Sequence, residues 1–248
     1  MKRVIALASL LLAALPSFAS EETVSFRSGT ENVSAFLVKP DGPGPFPAVI
    51  VLHEWWGLDG WIKDQARSLA KEGYAALAVD LYRGRVTAKQ EEAHQLMMGT
   101  PIDRQTRDMK AAFAWLAARK DVLKARIASL GFCMGGRNSF TLAIEEPALA
   151  AAVIYYGAPP TDPASIARIR APMLGNFGGD DEGPSPAQAR EFEAAAKKAG
   201  KTFDLKVYLG APHAFANPAN PWKGYRKDAA NDAWQRTTDF LRHYLFPR

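Results

Sequence analysis

The chain has 248 residues, of which 48% are hydrophobic and 23% are charged, proportions that exclude disordered, collagen-like and coiled-coil proteins. A single cysteine excludes an internal disulfide framework and a cysteine-rich zinc site, and four histidines argue against a multi-histidine metal centre. The net charge of +5 is spread along the chain with no basic run longer than a pair, so we expect no nucleic-acid partner.

The N-terminal segment has the layout of a secretory signal peptide. Lys2 and Arg3 precede an apolar stretch at residues 4–15, and Ser17-Phe18-Ala19 forms a small-x-small cleavage site. The apolar stretch is shorter than the roughly 20 residues that span a bilayer. We therefore predict that residues 1–19 are removed, and that residues 20–248 act in the periplasm or outside the cell without a membrane anchor.

Beyond the signal segment, short apolar runs alternate with amphipathic stretches. The cluster Pro40–Pro45 is predicted to be a turn between two strands. The predicted strands are Ala48–Leu52, Ala75–Val79, Ile127–Leu130, Ala151–Tyr156, Pro172–Phe177 and Phe203–Leu209. The predicted helices are Asp59–Lys71, Lys89–Met98, Asp103–Lys120, one beginning near Arg137, Pro186–Ala199 and Asp232–Leu245. This alternation predicts a single α/β domain, with a mostly parallel sheet covered by helices on both faces.

A candidate nucleophile lies between a predicted strand and a predicted helix. The run Gly131-Phe132-Cys133-Met134-Gly135-Gly136 has the G-x-nucleophile-x-G spacing of a nucleophile elbow, with cysteine in the usual place of serine. Small flanking residues allow the sharp turn, and the unpaired N–H groups at the helix start favour a thiolate. The alternative is a buried structural cysteine beside a glycine turn.

A base and an acid should follow the nucleophile in the order acid, then histidine. Of the two later histidines, His213 follows a predicted strand directly, whereas His243 lies within the last helix, so His213 is the candidate base. The acid should follow the preceding strand, where Asp180, Asp181 and Glu182 form a run. Asp181 is our choice and Asp180 the reserve, although a surface turn explains such a run equally well.

The segment His53-Glu54-Trp55-Trp56-Gly57 ends the first core strand. In this architecture the oxyanion hole takes one N–H from the residue after the nucleophile and one from an early loop, which nominates Met134 and Trp55. Glu54 could face the thiol, and the two tryptophans could either wall an apolar pocket or pack in the core. The segment is no zinc motif, because Gly57 stands where H-E-x-x-H has its second histidine.

Together these motifs resemble the dienelactone hydrolase family of α/β-hydrolases. The matching segments, in family order, are His53–Gly57, Asp80-Leu81-Tyr82, Gly131–Gly136, Phe177–Asp181 and His213-Ala214-Phe215. The resemblance implies an α/β-hydrolase fold, a small-molecule ester or lactone substrate, and no metal or organic cofactor.

The resemblance also implies roles for particular residues. Cys133, Asp181 and His213 would form the catalytic triad, and Glu54 would match the family glutamate that helps to ionise the thiol. The family holds its substrate carboxylate with two arginines. Arg83 or Arg85 could be the first, whereas Asn217 stands where the second is expected, four residues after the histidine. This difference from the family argues against the dienelactone as the substrate more strongly than it argues against ester hydrolysis.

The sequence is also compatible with other functional hypotheses. One is a general carboxylesterase with the same cysteine machinery and a different pocket. Another is a catalytically silent scaffold that acts as a binding protein and needs no reactive thiol at Cys133. A thiol redox protein is disfavoured, because the chain contains no second cysteine to resolve a disulfide.

Overall fold

A computed structural model describes residues 20–246, and it contains one eight-stranded sheet in the order β1-β2-β4-β3-β5-β6-β7-β8. The strands are β1 Ser20–Ser28, β2 Glu31–Lys39, β3 Phe46–Leu52, β4 Ala75–Val79, β5 Val122–Phe132, β6 Ala151–Tyr155, β7 Met173–Gly178 and β8 Phe203–Tyr208. The first hairpin, β1–β2, runs antiparallel and joins β4 in antiparallel register, and all the other neighbouring strands are parallel.

Seven helices cover the two faces of this sheet. They are α1 Gly60–Lys71, α2 Gln90–Met98, α3 Ile102–Ala117, α4 Met134–Glu145, α5 Pro163–Arg168, α6 Pro186–Lys198 and α7 Lys227–Leu245. Successive residues of β3 point to opposite faces, as a pleated strand requires: Ile50 belongs to the core cluster that includes residues of helices α2 to α6, and Val51 to the cluster that includes residues of α1 and α7. The strand is apolar throughout because both faces are buried. The predicted single α/β domain, with a mostly parallel sheet and helices on both faces, is confirmed.

All six predicted strands and all six predicted helices are present. The turn at Pro40–Pro45 does separate two strands, β2 and β3. The sequence patterns missed β1 and the short helix α5, and they defined no bounds for β2. An edge strand such as β1 is exposed along much of its length, so the burial that produces a clear apolar pattern is missing.

Three predicted helix boundaries need correction. Helix α4 begins at Met134 and not near Arg137, because the two glycines after it enter the helix instead of forming a turn. Helix α7 begins at Lys227, five residues before the predicted start at Asp232, through a polar first turn that shows no apolar periodicity. Helix α3 ends at Ala117, three residues before the predicted end.

The carboxyl ends of the parallel strands meet at one edge of the sheet, where open α/β sheets bind their ligands. The loops after β3, β5, β7 and β8 carry the candidate site residues to this edge. Across residues 20–246, no helix combines the length and the apolar character that a membrane crossing requires. The predicted signal peptide at residues 1–19 lies outside the described residues.

Candidate active site

Cys133 occupies a sharp turn between β5 and α4. Its backbone has φ of 53° and ψ of −114°, a conformation that costs energy for any residue other than glycine and that recurs at functional sites. The turn is held by the Cys133 N–H, which donates to the Tyr155 carbonyl at 3.0 Å, and by the Arg137 N–H, which donates to the Cys133 carbonyl at 3.1 Å. Cys133 is thus presented at the first turn of a helix, with its side chain partly exposed.

Two glycines allow this turn to pack against its neighbours. A Cβ atom at Gly131 would overlap the carbonyl oxygen of Gly135, and one at Gly135 would overlap the carbonyl oxygen of Leu52 at the end of β3. Any larger residue would push α4 away from β3. Steric overlap therefore explains why both positions are occupied by glycine.

His213 and Asp181 are brought together from neighbouring loops. His213 follows β8 and Asp181 follows β7, and the distance between His213 Nδ1 and Asp181 Oδ2 is 2.7 Å. The other carboxylate oxygen of Asp181 accepts a hydrogen bond from the Gly183 N–H at 2.9 Å. Asp181 is buried, with only 4% of its surface exposed, whereas Asp180 is exposed. The hydrogen bond to His213 is made by Asp181. The structure thus brings our first choice of acid, and not the reserve, to the histidine.

The environment of His213 favours its charged form. Burial opposes the imidazolium, but interactions with Asp181 and Cys133 outweigh this effect and raise the pKa of His213 to about 10. The ring also packs edge-on against Tyr156 at a centroid distance of 5.1 Å. The histidine is therefore held in one orientation, with a carboxylate on one side and the thiol within electrostatic reach.

Glu54 lies buried behind these residues. Its carboxylate accepts a hydrogen bond from the Asn217 side-chain amide at 2.7 Å. Burial raises the pKa of Glu54 to about 7, and the opposing interactions with Asn217 and His213 are weaker. Glu54 is therefore held by a hydrogen bond from the uncharged Asn217 amide.

The two candidate oxyanion donors lie at the ends of adjacent strands, Trp55 after β3 and Met134 after β5. As the first residue of α4, Met134 has an N–H group that no carbonyl within the helix can satisfy. The loop carrying Trp55 is fixed by the buried His53, whose Nδ1 contacts the Glu54 carbonyl and whose Nε2 accepts from the Leu81 N–H at 3.2 Å. Burial lowers the pKa of His53, which keeps this ring neutral.

Two cavities open beside Cys133 and His213, which line both. The larger, of about 530 Å³, has aromatic walls from Trp55 and Trp222, whose ring centroids are 5.5 Å apart. The smaller has a volume of about 140 Å³. The two tryptophans follow different alternatives. Trp55 lines both cavities as a pocket wall, whereas Trp56 is 4% exposed and packs in the core behind it.

Arg83 and Arg85 line neither of these two cavities, and their role in holding the substrate stays a prediction. Arg83 instead forms ion pairs with Glu31 at 3.1 Å and with the fully buried Asp108 at 2.8 Å. A buried carboxylate requires a cationic partner, and this requirement holds Arg83 away from the cysteine.

The arginine beside Cys133 is Arg137, which was not among the predicted site residues. The sequence signal for Arg137 was its spacing of four residues from Cys133, because residues four apart in a helix share one face. Trp222 was also missed, and its irregular loop carries no periodic pattern. Among residues 20–246, no three His, Cys, Asp or Glu side chains group together in a way that could hold a metal ion.

Known proteins are similar to this chain in sequence and in fold. The dienelactone hydrolase family model matches residues 33–245. A protein of Methylorubrum extorquens named "Putative carboxymethylenebutenolidase" is 34% identical over 240 residues, covering 91% of this chain and 81% of that protein. A Bradyrhizobium protein named "Probable 2-oxo-3-(5-oxofuran-2-ylidene)propanoate lactonase" is 32% identical over 235 residues, covering 90% of this chain and 94% of that protein.

A solved structure gives the same result. The crystal structure of "Putative Dienelactone Hydrolase" from Klebsiella pneumoniae superposes with a TM-score of 0.83 at 30% identity, covering 91% of this chain and 99% of that one. The fold and the elbow at the sheet edge define an α/β-hydrolase. The chain belongs to the dienelactone hydrolase family, and it is a hydrolase that acts on ester or lactone bonds.

Proposed function

We propose that this enzyme hydrolyses small esters or lactones through a Cys133-His213-Asp181 triad and a covalent acyl-thioester. The observation that carries the proposal is the 2.7 Å contact between His213 Nδ1 and Asp181 Oδ2, together with a cysteine at the elbow that lines the same two cavities as His213. An oriented base within reach of an exposed nucleophile is the arrangement that nucleophilic catalysis requires.

In the first half of the reaction, the Cys133 thiolate attacks the carbonyl carbon. The N–H groups of Met134 and Trp55 stabilise the tetrahedral oxyanion. The bond to the leaving oxygen then breaks, and the imidazolium of His213 gives that oxygen its proton. The product of this half is an alcohol, or the opened hydroxyl end of a lactone, and an acyl group on sulfur.

In the second half, His213 takes a proton from water as the water oxygen attacks the thioester carbonyl. The carbon–sulfur bond breaks, the carboxylic acid leaves and the thiolate is restored. Asp181 orients His213 and stabilises its charged form throughout both halves. Glu54 helps to ionise the thiol, and its pKa of about 7 allows it to accept a proton near neutral pH.

Replacing Cys133 tests the proposal directly. We expect Cys133→Ala, made in a chain beginning at residue 20, to lose at least about 10³-fold of kcat on p-nitrophenyl acetate, because the covalent route is removed. Cys133→Ser serves as the matched control for side-chain volume. Because the chain has one cysteine, mass spectrometry of the quenched wild-type enzyme should show one acetyl group, absent from Cys133→Ala.

Two results would contradict this assignment. Unchanged turnover in Cys133→Ala would exclude Cys133 as the nucleophile. Turnover without an acyl adduct, even under rapid quenching and at saturating ester, would argue for direct attack by water. A dienelactone assayed in parallel would show whether Asn217 is compatible with that substrate.

We further propose that the enzyme is exported. The support is the signal-peptide layout of residues 1–19. Expression of the full chain in a Gram-negative host should give a periplasmic protein whose N-terminal sequence begins at Ser20. Recovery of the uncleaved chain from the cytoplasm would reject export.

A further inference from the structure

The two cavities beside Cys133 differ in charge. The larger is lined by three acidic residues, Asp180, Asp181 and Glu182. The smaller has no acidic residue in its lining. Both cavities share His213, and the cation that lines the smaller cavity alone is Arg137, which lies among apolar neighbours such as Met134 and Pro184. An anion beside the thiol would therefore be repelled from the larger cavity and attracted to the smaller one.

Arg137 is also incompletely paired. Its Nη2 donates to the Gln105 Oε1 at 3.3 Å, while its buried Nε has no hydrogen-bond partner. Within the described residues it forms no salt bridge, unlike Arg83 and Arg119, which pair with carboxylates. Burial lowers the pKa of the Arg137 guanidinium, and the electrostatic interactions with Cys133 and Tyr82 oppose this effect only in part. A partly buried cation that has no carboxylate partner favours a ligand that supplies an anion.

We propose that the smaller cavity is a carboxylate subsite in which Arg137 selects substrates bearing an anionic group close to the scissile carbonyl. The inference rests on the proposed function, because Cys133 is taken as the point of attack. At about 140 Å³ the cavity admits only a few heavy atoms, so the carboxylate must lie within one or two carbons of the reacting bond. The remainder of the substrate then occupies the larger cavity against Trp55 and Trp222.

Alkylation of the single cysteine tests this subsite without requiring turnover. Iodoacetate transfers a carboxymethyl group to sulfur and iodoacetamide a carbamidomethyl group, each with loss of iodide, so the two reagents are similar in size and differ mainly in charge. We expect Arg137→Gln to lower the ratio of the iodoacetate rate to the iodoacetamide rate by about tenfold, because a charge-assisted hydrogen bond is lost. Arg137→Lys, which keeps the charge without the planar fork, should retain part of the ratio.

The matched control is Arg168→Gln. Arg168 pairs with Glu145 at the far end of α4, so this variant removes the same charge while leaving the cavity intact. The ratio should equal that of the wild-type enzyme. Circular dichroism of each variant checks the fold, and if Arg137→Gln does not fold, the ratio in Arg137→Lys decides.

An unchanged ratio in Arg137→Gln would overturn the subsite. If both rates are also unchanged, Arg137 does not act on the alkylation at all, and if both rates fall by the same factor, Arg137 only stabilises the thiolate. Hydrolysis of p-nitrophenyl butyrate and p-nitrophenyl hydrogen succinate tests the proposed function separately. If neither ester is cleaved, the proposed function fails, while the alkylation ratio still decides whether the subsite exists.

Discussion

At the residue scale, Glu54 lies in surroundings whose effects on its pKa oppose one another. The carboxyl is buried, which favours its neutral form, and it is held by the neutral Asn217 amide instead of a cation. The resulting pKa of about 7 means that both forms are populated at neutral pH. A small change in the surroundings of Glu54 therefore changes the charge that acts on His213.

The raised pKa of Glu54 makes stability depend on pH. Its carboxyl keeps a proton in the folded state up to about pH 7, but in the unfolded state it loses the proton near its ordinary value of 4.5. The stabilisation is present below pH 4.5 and is lost as pH rises through 7. We expect Glu54→Gln to remove this loss. Relative to the wild type, the free energy of unfolding of the variant should therefore rise by about 2 to 3 kcal/mol from pH 5 to pH 8.5.

Urea unfolding of both proteins at the two pH values measures this gain. Glu72→Gln, at an exposed carboxyl on another face, controls for the general effect of removing an acid. A parallel pH dependence in Glu54→Gln and the wild type would show that Glu54 ionises normally in the folded enzyme.

At the level of elements, the site depends on the close packing of α4 against the ends of β3 and β5. The backbone of Gly135 approaches the Leu52 carbonyl so closely that no side chain fits between them. The two strands are adjacent and parallel, and Leu52 lies opposite Gly131 in the register. The glycines thus place the loop carrying Trp55 beside the start of α4.

We expect Gly135→Ala to destabilise the fold by about 2 to 3 kcal/mol, because the methyl group would force α4 away from β3. Thermal unfolding should show a melting temperature lower by several degrees. Gly60→Ala is the matched control, since a Cβ there meets open space, and it should stay within about 1 kcal/mol of the wild type. An unchanged melting temperature for Gly135→Ala would mean that the helix shifts freely.

Across the whole molecule, an ionic network centred on a buried carboxylate joins the β1–β2 hairpin to the body of the domain. Asp108 on α3 is fully buried, accepts a hydrogen bond from Ser28 at 2.6 Å and pairs with Arg83 at 2.8 Å. Glu31 of the hairpin pairs with Arg83 and also with Arg107 of α3, at 2.7 Å. Three distant parts of the chain therefore share one set of charges.

We expect Asp108→Ala to lower the free energy of unfolding by about 3 kcal/mol, because it leaves the half-buried Arg83 without its main counter-charge. Urea unfolding provides the measurement. The control is Glu72→Ala, which breaks the exposed pair with Arg242 and should cost less than about 1 kcal/mol. A loss no larger than that of the control would show that the network contributes little to stability.

Much of the fold could be predicted because burial on both faces of the sheet leaves a clear pattern. The run at β4 is apolar at every position, and its predicted bounds match the structure. Polar helix starts such as Lys227 and the glycine-rich start of α4 were misplaced, because tertiary contacts stabilise them without apolar periodicity. The family motifs likewise indicated Asp181 and His213, which the fold does bring into contact.

The sequence by itself determined the α/β class, the chain order of the candidate triad and the elbow around Cys133, because these depend on local spacing and on strand and helix periodicity. The tertiary structure alone decided which arginine lies beside the cysteine. Arg83 is drawn to the buried Asp108, and Arg137 remains at the smaller cavity without a carboxylate partner among residues 20–246. Charge pairing between residues far apart in the chain depends on desolvation in the folded state, which no local pattern records.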